Sequence, residues 1–367
     1  MKTPPRPSEH PRQEPMGELA LIEQIRRTFA APSRRSAVTL GIGDDCAILR
    51  PPAGHEILVT TDFSLEGRHF RRDLHPPESV GHRCLARGLS DLAAMGATPL
   101  AAFLSLALPA SLLAEPKGRA WIKHFFHGLQ ALAAQHNVPL AGGDTSESPR
   151  ETEETEGLIL ADIILLGSAP RGKSLRRSGA HPGDLLYVTG HLGGAAAELA
   201  SMLDRPPRIA RASSTANHPH LYPQPRLATG QSLLHRKLAT ACIDLSDGLS
   251  TDLAHLCQAS GVHAEVVQSA LPIHPLARKL SPTAALHAAL NGGEDYELLF
   301  TAPPSIKVPA SLAGVAITRI GSLTHDRRGT PPMTLLHSDG TRVPLKPAGW
   351  EHFTAQSRPH SSQSRNP

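Results

Sequence analysis

Hydrophobic and polar positions along this chain alternate between two kinds of segment. Apolar runs such as EILVTTD, FLSLALP and LILADIILLG have the length and composition of strands. Residues 77–94 and 120–135 instead carry apolar positions at helical spacing. The alternation resumes at DLLYVTG and continues to ALNGGEDYELLFTA. This order of strands and helices predicts an α/β protein.

The alternation restarts after Pro170, and we predict a domain boundary there. A chain of 367 residues fits two domains better than one. The Pro-rich and polar ends lack the apolar residues that a folded segment needs, so we expect them to be disordered. The predicted divisions are a leader (1–15), an N-terminal domain (16–169), a C-terminal domain (170–354) that contains a loop insertion (204–220), and a tail (355–367).

Acidic residues next to Gly, Ser or Thr recur where apolar strands end. The motifs are GIGDD, TTD, LSD, GGD, DLSDG and GGED, with Asp44, Asp45, Asp62, Asp91, Asp144, Asp244, Asp247, Glu294 and Asp295. Each motif alone is an ordinary turn sequence. Together they predict converging carboxylates, which repel one another and require a cation. Oxygen ligands without Cys or His partners favour Mg²⁺, Mn²⁺ or Ca²⁺, and Gly lets a backbone approach a phosphate, so the set predicts a Mg²⁺–nucleotide site.

A literal phosphate-binding motif lies in the segment GSAPRGKS, residues 167–174. A true P-loop opens a helix whose N-terminus holds the phosphates. Here the sequence continues LRRSGAHPGD, and its glycines and proline leave room for barely two helical turns. We therefore predict a connecting segment, in which Arg176 or Arg177 can contact a phosphate.

Charge and composition exclude several classes of protein. The net charge is only +4, from 37 basic and 33 acidic residues, which argues against nucleic acid as a partner. No apolar run is long enough to span a bilayer, so we expect no membrane partner. The N-terminus lacks the apolar core of a secretory signal, and we expect a cytoplasmic protein. The four cysteines form no CxxC pair that would indicate a zinc site.

The order of the motifs resembles the thiamine-monophosphate kinase family from about Gly41 to Phe353. The matching segments are GIGDDCAIL, TTDFSLEGRHF, LSDLAAMGATPL, GGDTS, RRSGAHPGDLLYVTG, IDLSDGLSTDLAHLCQASG and LNGGEDYELLFT. The resemblance implies a two-domain fold like that of aminoimidazole ribonucleotide synthetase, with an N-terminal α/β dimerisation domain, a C-terminal α-β-α domain and a homodimer. It also implies transfer of the ATP γ-phosphoryl group to thiamine monophosphate, with several Mg²⁺ ions, in the cleft between the domains.

The same resemblance implies roles for individual residues. The metal-site positions are Asp45, Thr60, Thr61, Asp62, Asp91, Asp144, Asp244 and Asp247. The ATP contacts are Gly143, Asp144, Arg177 and Ser246. The contacts to the thiamine substrate are His69, Glu294 and Trp350, and the catalytic residues are Asp62, Asp144 and Arg177.

Two residues depart from the family pattern. Gly88 stands where the family usually has Asn, and Glu147 follows GGDTS where a basic residue is common. These departures leave two alternatives open: another ATP-dependent enzyme of the superfamily, or a non-catalytic nucleotide-binding module. Selenophosphate synthetase is disfavoured because no Cys lies in the N-terminal Gly-rich stretch. The intact acidic motifs argue against the non-catalytic module.

Overall fold

The computed structural model describes residues 16–29, 36–150, 152, 155–204, 217–326, 329–351 and 353. The helices are α1 (Glu18–Thr28), α2 (Pro77–Ala94), α3 (Ala110–Ala114), α4 (Pro116–Gln135), α5 (Gly194–Leu203), α6 (Leu227–His235), α7 (Leu249–Ser260) and α8 (Pro282–Asn291). The strands are β1 (Val38–Leu40), β2 (Ile48–Leu49), β3 (His55–Leu65), β4 (Thr98–Leu108), β5 (Leu140–Glu147), β6 (Leu160–Pro170), β7 (Leu185–Thr189), β8 (Ala241–Asp244), β9 (Val262–Val267), β10 (Leu298–Ala302), β11 (Ser311–Leu312), β12 (Val315–His325), β13 (Met333–Leu336) and β14 (Arg342–Pro344). The predicted leader, the predicted tail and most of 204–220 lie outside the described residues.

A four-stranded sheet in the order β3-β6-β4-β5 forms the N-terminal half. Its pairs are antiparallel except β4 with β5, which run parallel. Helices α2 and α4 cross closely because each has a glycine at the contact. A Cβ on Gly81 would lie 1.9 Å from the carbonyl oxygen of Phe125, and one on Gly128 would lie 1.9 Å from that of Glu78. The two glycines therefore permit this helix crossing.

The C-terminal half is built on a sheet in the order β14-β13-β9-β12-β7-β10-β8, and β11 pairs with β12. Only the pair of β13 with β9 is parallel. Helix α7 follows β8 directly and ends at Gly261, whose left-handed φ of 65° suits a glycine. The mixed order of helices and strands confirms the predicted α/β class.

A continuous hydrophobic core joins the two halves through α2. Leu89 and Leu92 on this helix belong to the same buried cluster as Leu165 of β6 and Phe300 of β10. The side chains of Ile243 and Leu299 belong to a second cluster with α7 and α8 residues. Strands β8 and β10 are thus buried on both faces, and α2 is held between the two sheets.

Strand β5 differs from the sequence prediction, which placed a Gly-rich turn at GGD. Gly142, Gly143 and Asp144 lie within the strand, because they pair in register with Phe103, Leu104 and Ser105 of β4. A Cβ on Gly143 would lie 1.9 Å from the Leu104 carbonyl oxygen, so close approach of β4 itself requires this glycine.

The segment GSAPRGKS behaves as predicted. Its first residues end β6, and residues 171–184 form turns and loops without a helix. It therefore lacks the helix that a P-loop requires, and the prediction of a connecting segment is confirmed. Among the helices of the described ranges, none has both the length and the apolar character needed to cross a bilayer.

Candidate active site between the two sheets

A cleft of about 390 Å³ lies where α2 faces the C-terminal sheet. Eight of the residues singled out from the sequence line it, and they come from both halves of the chain. They are Asp62, His69, Asp91, Asp244, Ser246, Asp247, Glu294 and Trp350. This interdomain cleft is the candidate active site.

Two turns from the C-terminal half form one side of the cleft. Strands β8 and β10 are antiparallel neighbours, so the turn that follows β8 meets the turn that precedes β10. The backbone N–H of Glu294 donates to the Ser246 carbonyl at 2.8 Å, and that of Tyr296 donates to the Leu245 carbonyl at 2.9 Å. Glu294 and Tyr296 have left-handed φ angles of 67° and 50°. Such angles are unfavourable for these residue types and persist only where the surroundings impose them.

Three carboxylates line the cleft from β3, α2 and β8: Asp62, Asp91 and Asp244. Burial, followed by the charge of Asp91, raises the pKa of both Asp62 and Asp244 to about 7. The Ser90 hydroxyl donates to Asp244 at 2.7 Å, and the Thr60 hydroxyl donates to Asp91. Ser90 and Thr60 thus fix the carboxylates of Asp244 and Asp91 in positions where the negative charges repel.

Glu294 belongs to a buried network of positive groups. Its carboxylate accepts from Arg83 at 2.7 Å and lies 3.2 Å from Nδ1 of His220, with Arg87 at 3.5 Å. Burial alone would raise the pKa of Glu294, but Arg83, His220 and Arg87 hold it well below its ordinary value. The carboxylate is therefore ionised and already neutralised by the protein.

His69 and Trp350 lie at the edges of the cleft. The backbone N–H of Leu65 donates to Nδ1 of His69 at 3.0 Å. The backbone N–H of Trp350 donates to the Asp247 carbonyl at 3.0 Å, and its side chain is 41% exposed. Trp350 is therefore not a core residue, and it lines the cleft.

The structure places Asp45, Gly143 and Asp144 in a second cavity rather than in the interdomain cleft. This cavity of about 710 Å³ runs along the edge strand β5 and is lined also by α1 and by residues 41–47. The sequence predicted that the acidic motifs meet in one site. They divide into two groups because GGD is part of β5, which lies at the far edge of the sheet from β3.

Three other predicted residues line neither cavity. Thr60 holds Asp91, as described above. Thr61 donates to Asp162 at 2.7 Å on β6. The charge of Arg177 acts on Asp244 and opposes the rise in its pKa. No three His, Cys, Asp or Glu side chains in the described part of the chain are close enough to form a ready-made metal site.

The two departures from the family pattern have structural explanations. A Cβ on Gly88 would lie 2.7 Å from a methyl carbon of Leu165, so the glycine accommodates that side chain under α2. Glu147 is 59% exposed, lies 3.6 Å from Arg150 and lines neither of the two cavities. It therefore does not place an acid beside a phosphate in either of them.

Sequence reasoning missed four residues that line or support the cleft: Arg83, Arg87, His220 and Tyr296. The spacing of Arg83, Arg87 and Asp91 by four residues was a usable signal, since it places them on one face of α2. His220 had no such signal, because it ends a polar segment that reads as a loop. The structure buries it, 2% exposed, beside Glu294.

Comparisons with known proteins fit this arrangement. The models for the N-terminal and C-terminal domains of AIR synthase related proteins match residues 43–169 and 181–332. The thiamine-monophosphate kinase of Escherichia coli K12 is 39% identical over 343 residues, which cover 92% of this chain and 98% of that protein. The crystal structure of the thiamine-monophosphate kinase from Stenotrophomonas maltophilia K279a superposes with a TM-score of 0.70 at 35% identity, covering 85% of this chain and 95% of that one.

A further solved structure, AaThiL complexed with AMPPCP and TMP, gives a TM-score of 0.68 at 28% identity and covers 92% of this chain and 97% of that one. Similarity over most of the chain, the order of the motifs and the two-domain fold thus all agree. This chain belongs to the thiamine-monophosphate kinase family.

Proposed function

We propose that this chain transfers the γ-phosphoryl group of ATP to thiamine monophosphate and releases thiamine diphosphate and ADP. The observation that carries the proposal is the cleft, where fixed carboxylates face an arginine and an exposed tryptophan. The relatives at 39% and 35% identity are thiamine-monophosphate kinases, and AaThiL binds AMPPCP and TMP.

Mg²⁺ fits the donor set of the cleft. The carboxylates of Asp62, Asp91 and Asp244 offer only oxygen. Burial and then the charge of Asp91 raise the pKa of Asp62 and of Asp244, and a bound cation would oppose that rise. Mg²⁺ is usually held by one or two carboxylates together with substrate phosphates, so a complete protein cage is not required. We propose these three residues, with Asp247 beside them, as holders of Mg²⁺ in the cleft. When bound, Mg²⁺ supplies charge neutralisation to the phosphates.

The other assignments remain proposals. Asp45 and Asp144 would hold Mg²⁺ at the second cavity, which Gly143 also lines. Ser246, which lines the cleft, and Arg177, whose charge acts on Asp244 there, would contact ATP. Thr60 and Thr61 would act through the carboxylates that they hydrogen-bond, Asp91 and Asp162.

The reaction requires no general base. The phosphate monoester has a second pKa near roughly 6, so it is mostly dianionic at neutral pH. One of its oxygens attacks the γ-phosphorus, a new P–O bond forms, and the bond to the bridging oxygen of ADP breaks. The protein must bring two anions together in line, and it does so by fixing their positions and supplying positive charge.

Recognition of the thiamine moiety is assigned to His69 and Trp350. The thiazolium ring is cationic, and a tryptophan face attracts such a ring. Glu294 was predicted to attract the thiazolium cation as well, but Arg83 and His220 already neutralise the charge of its carboxylate. We therefore assign the cation recognition to Trp350 and a structural role in shaping the cleft to Glu294.

An acceptor comparison tests the proposed function. Purified protein with ATP and Mg²⁺ is offered thiamine monophosphate, thiamine, hydroxymethylpyrimidine phosphate or buffer, and ADP and the product are quantified. We expect turnover with thiamine monophosphate and a product that co-elutes with thiamine diphosphate. Turnover with a different acceptor would indicate another enzyme of the superfamily. ATP binding without turnover of any acceptor would support the non-catalytic module.

We also propose a homodimer formed through the N-terminal sheet. Ile57, Val59 and Phe63 alternate along β3 and are 42%, 65% and 58% exposed. An exposed apolar row of this kind on a sheet is typical of an interface. Analytical ultracentrifugation should give twice the mass of the 39.1 kDa chain. A monomeric mass at micromolar concentration would contradict the dimer.

A further inference from the structure

We infer that Arg87 binds the phosphate group of the acceptor and is the residue that distinguishes thiamine monophosphate from thiamine. This inference rests on the proposed function. It concerns a residue that no motif singled out, and its support comes from the geometry of the cleft.

Arg87 lies on α2, one turn before Asp91, and its side chain is only 16% exposed. Its Nε is buried and has no hydrogen-bond partner. The nearest carboxylate oxygen of Asp62 is 3.9 Å from that Nε, which is too long for a hydrogen bond. Its Nη1 reaches Glu294 only at 3.5 Å. The guanidinium has five N–H donors, and the protein offers few acceptors within hydrogen-bonding distance of them.

Glu294 is not the main ion-pair partner of Arg87. The Glu294 carboxylate already has Arg83 at 2.7 Å on one oxygen and His220 at 3.2 Å on the other. Arg83 is more deeply buried than Arg87, with 5% of its side chain exposed, and also donates to the backbone carbonyls of His69 and His220. Arg83 therefore acts as the structural partner of Glu294, and the charge of Arg87 is left facing the cleft.

A buried N–H donor without a partner, such as the Nε of Arg87, is costly, and the cost is removed when an anion with oxygen acceptors binds. A phosphate group matches the planar fork of arginine better than any other common ligand group. Arg87 lines the same cleft as Asp62, which is proposed to hold Mg²⁺ for the reacting phosphates, and as His69 and Trp350, which are proposed to bind the thiamine moiety. An acceptor phosphate that joins these two regions would lie within reach of Arg87.

The position of Arg87 explains why the cleft would select thiamine monophosphate over thiamine. Thiamine lacks the phosphate, so its binding would leave the Arg87 donors buried and unpaired. A site built to hydrogen-bond a polar group rejects ligands that lack the group much more strongly than an apolar pocket rejects a smaller ligand. Thiamine monophosphate satisfies the same donors, and Arg87 offsets part of the repulsion between its phosphate and the surrounding carboxylates.

The test compares two ligands on matched variants. Calorimetric titration of the full chain with Mg²⁺ measures the Kd of thiamine monophosphate and of thiamine for wild type, Arg87→Gln and Arg87→Lys. We expect Arg87→Gln to weaken thiamine monophosphate by about 10- to 100-fold, the usual range for a hydrogen bond to a charged group. Thiamine should change by no more than about twofold. Arg87→Lys keeps the charge without the fork and should lie between.

The control is Arg72→Gln. Arg72 is 23% exposed, but its donors are satisfied by Glu66 at 2.5 Å and Glu156 at 3.1 Å, away from the cleft. It should change neither Kd.

An equal loss of affinity for both ligands in Arg87→Gln would show a merely structural role, and unchanged affinity for thiamine monophosphate would also overturn the inference. If Arg87→Gln does not fold, the ratio of the two Kd values in Arg87→Lys decides in the same way. Failure of the proposed function would appear separately, as absent turnover by wild type whatever the ratio of the Kd values.

Discussion

Replacing Asp62 with Asn is expected to lower turnover with ATP and thiamine monophosphate by about a thousandfold. The change removes one negative charge and one oxygen ligand from the cleft while keeping the size of the side chain. Phosphoryl transfer depends on positioning and charge neutralisation, so loss of a metal-holding carboxylate acts directly on the transition state. Initial rates at saturating and at limiting Mg²⁺ measure the effect.

The fold of this variant should survive. Burial, and then the charge of Asp91, raises the pKa of Asp62 to about 7, so the ionised carboxylate lowers the stability of the metal-free protein as the pH rises through that value. A neutral Asn removes this cost, and the Tm in EDTA at pH 8 should be unchanged or higher. Asp73→Asn is the control, because Asp73 is half exposed and pairs with Arg71 on the surface. Near-normal turnover of Asp62→Asn at limiting Mg²⁺ would contradict the metal assignment.

Replacing Arg226 with Met is expected to lower the free energy of unfolding by about 3–5 kcal/mol. Glu297 is 3% exposed and accepts two hydrogen bonds from Arg226, at 2.7 and 2.5 Å. The Thr189 hydroxyl supplies a third at 2.5 Å. A Cβ on Gly190 would lie 1.9 Å from the carboxylate, so Glu297 packs directly against the backbone of that glycine. Without Arg226 its charge is left buried and unpaired.

A second variant separates the pair from simple loss of packing. Arg226→Met combined with Glu297→Gln removes both charges, and most of the lost stability should return. Arg342→Met is the control, since Arg342 and Glu265 form a surface pair with 60% of the arginine exposed, and about 1 kcal/mol or less is expected. Urea denaturation measures all four proteins. A loss in the double variant as large as that in Arg226→Met would contradict the ion-pair explanation.

The sequence predicted the parts of the site that depend on local pattern. The DLSDG and GGED turns flank strands with clear apolar runs, and the pairing of β8 with β10 brings them together at one end of the sheet. Helix α2 was predicted from apolar spacing at its observed bounds, Pro77–Ala94. These features could be predicted from the sequence because apolar periodicity and turn residues depend on local structure.

Other parts of the site depend on long-range contacts and could not be predicted. Asp144 lies within β5 because a neighbouring strand pairs with it across the sheet, and no local signal distinguishes that pairing from a turn. His220 is recruited to Glu294 from a segment that is polar and rich in proline. Arg87 is left facing the cleft because Arg83 already pairs with Glu294. That pairing depends on how α2 packs against the C-terminal half.

The central claim is that the interdomain cleft carries direct transfer from ATP to an acceptor phosphate. A single-turnover experiment tests it most directly, with enzyme in excess, ATP labelled in its γ-phosphoryl group, thiamine monophosphate and Mg²⁺. We predict that the label appears in thiamine diphosphate without accumulating on the protein, and that both EDTA and Asp62→Asn suppress its appearance. Label found on the protein before the product, or released only as inorganic phosphate, would contradict the account.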